Sequence, residues 1–107
     1  MEQPHLNYIN QLARGDDSIK KTLLDVIKTE FPQEINDYYK SIETKDFKKI
    51  EESVHRIKHK FSILGLEKSY EKANEFEYHL REKQFNLTEK QDFNKILITI
   101  SKFLQTI

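Results

Sequence analysis

Four imidazoles are the side chains best suited to chemistry here: His5, His55, His59 and His79. Cysteine is absent, so a thiolate nucleophile, a thiolate zinc site and a disulfide framework are all ruled out. His55 has the richest surroundings. Glu51, Lys58, His59 and Ser62 lie three, four or seven residues from it and share its face on a helix. A neutral imidazole carries a nucleophilic nitrogen near pH 7, since its ordinary pKa is about 6.5. Lys58, one turn on, is placed to pair with an anion carried on that nitrogen. His55 and His59 also have the i,i+4 spacing of metal ligands. Arg56 stands where a zincin would carry its Glu base, and the neighbouring cations repel a dication. Glu52-Ser53-Val54-His55 is one Glu-x-x-His of the kind di-iron bundles use in duplicate, but Phe76, not Glu, precedes His79 by three. No metal site is expected.

The segment around His55 reads as a helix. Asp46 is a candidate N-cap, and Phe47, Ile50, Val54, Ile57, Phe61 and Leu64 follow at alternating steps of three and four. At about 100° per residue, His55 points roughly 140° away from that seam, towards solvent. Gly65 ends the helix. Before it, Leu6, Ile9 and Leu12-Ala13 form a short amphipathic helix closing near Gly15, and Asp16, Asp17 and Ser18 offer cap chemistry for the next. That second helix carries Ile19, Leu23, Val26-Ile27, Phe31, Ile35, Tyr38-Tyr39 and Ile42. The stripe keeps its phase across Pro32, which predicts one long helix with a kink. Tyr70, Ala73, Phe76 and Leu80 mark a fourth helix. Thr88 is a candidate cap for a fifth, with Phe93, Ile96-Leu97, Ile100, Phe103-Leu104 and Ile107 on its apolar face.

The pattern predicts an all-α chain: an antiparallel up-and-down four-helix bundle with a short additional N-terminal helix, forming one domain over residues 1–107. Only two glycines and two prolines occur, which argues against an all-β sandwich or barrel. Eighteen Lys+Arg balance eighteen Asp+Glu, and this neutrality argues against a general nucleic-acid binder. No apolar run approaches the ~18 residues of a membrane helix, and the polar opening Met1–His5 has no signal-peptide core. The expectation is a cytoplasmic monomer with neither nucleic-acid nor membrane partners. Tyr8, Tyr38 and Tyr39 are candidates for a binding surface or for the rim of the core.

His55-Arg56-Ile57-Lys58-His59-Lys60-Phe61-Ser62-Ile63-Leu64-Gly65-Leu66 resembles the signature of histidine-containing phosphotransfer (HPt) domains. That signature is a His, an apolar residue two on, a Lys three on, then Leu-Gly nine and ten on, and every position matches. Leu6-Asn7-Tyr8-Ile9 and Leu12-Ala13-Arg14-Gly15-Asp16 resemble the family's opening helix and Gly-Asp turn. Phe31-Pro32 resembles its mid-helix proline, Asp46-Phe47 its acid-aromatic helix start and Phe76-Glu77 its apolar-Glu pair. The resemblance covers nearly the whole chain. It departs at His59 and Lys60, where the family has Gly and a Ser-like residue. The small residue is thought to leave room for the partner, so His59 either narrows that approach or selects a partner.

The resemblance implies a phosphorelay intermediate of two-component signalling. His55 would accept a phosphoryl group through Nε2 from a receiver-domain phospho-aspartate and pass it to another receiver. The partners implied are receiver domains of response regulators or hybrid histidine kinases. Mg²⁺ would belong to the receiver, with no cofactor on this chain. Such a chain is a phosphoryl carrier rather than a turnover enzyme, and no ATP-binding motif is present. Lys58 would stabilise the phosphate oxygens, since phosphoryl transfer depends on positioning and charge stabilisation. His59, Lys60 and Ser62, with the first helix, would form part of the docking face. Glu77 and Arg81 would lie near His55 if the fourth helix packs antiparallel to the third; Arg81 could then touch phosphate and Glu77 could bond the imidazole or the lysine. The alternative is an adaptor that binds receiver or kinase domains without being phosphorylated.

Overall fold

A computed structural model describes residues 2–107, with Met1 outside them. Helix α1 spans Asn7–Ala13, α2 Asp17–Thr44, α3 Phe47–Ile63, α4 Glu67–Arg81 and α5 Leu87–Gln105; no strand occurs among the described residues. The body measures 44 × 23 × 20 Å. Its long dimension matches α2, whose 28 residues span about 42 Å at 1.5 Å per residue.

Side chains at the N-cap position itself start three of the helices. The Asp16 carboxylate accepts from the N–H groups of Ser18 and Ile19, and Asp46 accepts from those of Lys48 and Lys49, at 2.9–3.2 Å. At α5 the cap is Asn86, whose Oδ1 accepts from Glu89 N–H at 3.0 Å. This corrects the expectation for Thr88, which lies inside the helix. Both residue types can cap, but only Asn86 has the extended backbone that turns its side chain onto the first free N–H groups. Helix α2 runs through Pro32 unbroken. Pro32 is exposed, so the hydrogen bond that its missing N–H removes is not lost from the core.

The α3–α4 junction is pinned from the N-terminus. Gly65 takes a φ of +78°, and the Leu66 N–H reaches back to the Phe61 carbonyl at 2.8 Å, closing α3 with a left-handed turn. The His5 N–H donates to the Leu64 carbonyl at 2.9 Å. Leu66 provides no side-chain cap for α4. Glu2 supplies one from 66 residues away, its carboxylate accepting from the Lys68 and Ser69 N–H groups at 2.8 Å each. Burial pushes the Glu2 carboxyl up, but these bonds outweigh it and hold the group below its ordinary value.

The core joins all four long helices around Phe93 of α5. Its ring centroid lies 5.0 Å from that of Tyr38 in α2, 5.4 Å from Phe61 in α3 and 5.6 Å from Phe76 in α4. Tyr38 is fully buried, which puts it in the core rather than on a binding surface; its hydroxyl donates to Asn94 Oδ1 at 2.9 Å. The early part of the α2 stripe is looser, with Ile19 and Val26 each 46% exposed. Phe93→Ala should therefore cost about 3–5 kcal/mol, because one cavity would open against three helices. Urea unfolding measures this, and a loss under 1.5 kcal/mol would mean that the core closes over the gap.

Candidate functional site

His55 sits midway along α3, as a helix with Asp46 at its N-cap and its apolar seam turned inward requires. Its side chain is 54% exposed. Across from it lies α4, and the contacts between the two run in opposite directions along the chain. Arg81 meets Glu51, Glu77 meets His55, and Asn74 meets Lys58. Asn74, Glu77 and Arg81 fall at steps of three and four, so they share one stripe of α4.

Glu77 is the centre of this cluster. It is 4% exposed, yet it carries a carboxylate. Its Oε1 lies 2.8 Å from His55 Nδ1 and accepts from Arg81 Nη2 at 3.2 Å. Its Oε2 lies 2.6 Å from Lys58 Nζ. That oxygen has the charge contact without an aligned hydrogen bond; the aligned bond from Lys58 goes to Asn74 Oδ1 at 2.7 Å. Burial pushes the Glu77 carboxyl up, but the contacts and charge of Lys58 and His55 prevail and hold it below the usual carboxylate value. Glu77 is therefore ionised at neutral pH and can only accept hydrogen bonds. The proton of a neutral His55 ring must then sit on Nδ1, which leaves the lone pair on Nε2. The bond also fixes the ring's orientation.

Lys58 is almost wholly buried, held by Glu77 and Asn74 with its ammonium 5.6 Å from the centroid of the Tyr70 ring. It lies beneath the surface rather than beside it. Lys60 is also buried, and it is drawn to the opposite side of α3. Its Nζ donates to Glu30 Oε1 at 3.0 Å and lies 3.4 Å from Glu34 Oε1, both on α2. This removes Lys60 from the face it was expected to share with His55. Burial raises the Glu34 carboxyl against the pull of Lys60.

His59 and Ser62 are exposed and stay on the His55 side. The His55 and His59 rings meet edge to face, with centroids 5.0 Å apart. His59 and Ser62 line a surface groove with His5, Tyr8 and Gln11, which brings α1 beside this end of α3. His79 is turned away to Glu89 on α5, with Nδ1 2.9 Å from its carboxylate. Among the described residues, no three His, Asp or Glu side chains form a group that could hold a metal ion.

Asn74 and Glu2 escaped the sequence reading. Asn74 could have been found from its step of three before Glu77 on the stripe facing α3. Glu2 had no local signal, because its partners are 66 and 67 residues away. No family model, curated protein or solved structure matches the chain.

Glu77→Gln would leave the buried Lys58 without its counter-charge, and should cost about 2 kcal/mol at pH 7. The sign with pH follows from the lowered carboxyl. The unfolded chain binds this proton more tightly, so the contribution is complete above the ordinary value of 4.5 and disappears as pH falls through the native one. Urea unfolding of both proteins across the acid range should show the wild-type advantage shrinking. An advantage independent of pH would assign it to packing instead.

Proposed function

We propose that the chain is a phosphorelay intermediate of the HPt type, with His55 as the phosphoryl acceptor. In this reading α2 to α5 form an antiparallel up-and-down four-helix bundle, with α1 as the short additional helix beside the docking face. The observation that carries it is the exposed His55 ring whose Nδ1 is held by a buried carboxylate, within a segment that has the HPt spacing. A nucleophile that must meet another protein's aspartyl phosphate has to stand clear of its own surface and keep its lone pair outward.

The step is a displacement at phosphorus. The Nε2 lone pair forms the P–N bond while the bond from phosphorus to the donor aspartate oxygen breaks, and the aspartate leaves as a carboxylate. The ring gains positive charge, which is shared with the Nδ1–H that faces Glu77. Glu77 thus stabilises the product as well as setting the tautomer. Transfer to a second receiver is the reverse step with a different aspartate. The Mg²⁺ for this chemistry belongs to the acidic pocket of the receiver. Lys58 acts by neutralising Glu77 and holding it in place, because in the unphosphorylated protein its ammonium is committed below the surface. His59, Ser62, Tyr8 and Gln11 form the docking face around the acceptor.

The test mixes the protein with receiver domains charged by a small phosphodonor and maps acid-labile phosphate. Label is expected on His55. His55→Gln should abolish it while keeping wild-type circular dichroism, since the ring is half in solvent. Continued labelling of that variant refutes the assignment, and binding of receivers without any label supports the adaptor reading. Lys58→Ala should slow transfer about tenfold by loosening Glu77. An unchanged rate would remove Lys58 from the mechanism.

A further inference from the structure

The cations near His55 are already spoken for. Glu51 and Glu77 are matched by Lys58 and Arg81, so the cluster has no surplus positive charge when His55 is neutral. Lys58 is buried as well. A phosphoryl group on Nε2 would bring about −1.5 to −2 charges to this surface. The side chain lying against the His55 ring that is still free to donate a hydrogen bond is His59. Its ring touches that of His55 and has no hydrogen bond or ion pair among the described residues, so both nitrogens are open.

The geometry points to His59 as a catalytic residue of the relay, donating an imidazole N–H to the phosphoryl oxygens carried on His55. This inference rests on the phosphorelay reading. It departs from the HPt pattern, where a small residue at this position can donate nothing. The groups around His59 come from α3, from α1 with the segment before it, and from the start of α4. On α3 they are His55 and Arg56, the latter drawn 3.5 Å from Asp37 of α2. On the N-terminal segment and α1 they are His5 and Tyr8, and at the start of α4 Glu67 shares the groove.

The experiment uses phosphoramidate, whose P–N bond breaks with loss of ammonia as the bond from phosphorus to Nε2 forms. The readout is the ratio of wild-type to variant labelling rates at one pH. For His59→Ala the ratio should be about five, the size of one solvent-screened contact to a charged group. His59→Arg should match or exceed wild type, because it keeps an N–H donor at this position. A His59→Ala protein as fast as wild type, or a His59→Arg protein as slow as His59→Ala, overturns the role of His59 while His55 remains the acceptor. Wild-type protein left unlabelled both by phosphoramidate and by charged receivers overturns the phosphorelay reading itself.

Discussion

A buried carboxylate dictates much of this structure. Taking the Glu77 charge out of water costs several kcal/mol unless cations and hydrogen-bond donors surround it. Lys58 and Arg81 supply the charge, and His55 supplies an N–H. Because these partners come from both α3 and α4, the requirement fixes how the two helices slide against each other. A shift by one turn would carry Glu77 away from Lys58 and His55 and leave it only Arg81 of its own helix. The same bond turns the His55 ring and selects its tautomer, so the register of a helix pair also becomes the chemistry of a nitrogen.

Helix α3 is held in this way on two sides. Lys58 reaches into the seam with α4, and Lys60, two residues on and therefore about 200° around the helix, reaches into the seam with α2. Each lysine covers apolar surface with its stem and meets carboxylates with its head. Between these seams lies the outward strip that carries His55, His59 and Ser62. The strip is rigid because the polar pairs and the aromatic contacts around Phe93 lock the helix beneath it. Glu2 and His5 add a tie at the α3–α4 turn, just beyond the end of that strip. Under the phosphorelay proposal, a group carried on such a helix would lose little freedom when a partner arrives.

Local physics accounts for what was legible beforehand. Five helices, the caps at Asp16 and Asp46, the turn at Gly65 and the outward direction of His55 all follow from interactions within a few residues. Even there a choice between two adjacent candidates, Asn86 and Thr88, needed the backbone itself, because either side chain can cap. Glu77 and Arg81 were tied to His55 only through the packing of α4 on α3. The roles of the lysines were less accessible. Lys58 and Lys60 look alike in sequence as solvated cations on a helix, and nothing nearby in the chain says that both are buried.

The sequence by itself determined the helices, the apolar seam and the exposed histidine, because backbone propensity, capping and hydrophobic period act over one or two turns. Tertiary structure alone decided that Lys58 faces Glu77 rather than solvent, that Lys60 belongs to α2, and that Glu2 caps a helix 66 residues away. The charge of a side chain can be read from its letter. Which opposite charge lies within 3 Å of it depends on how whole helices pack, and that is set by the sum of many contacts distributed along the chain.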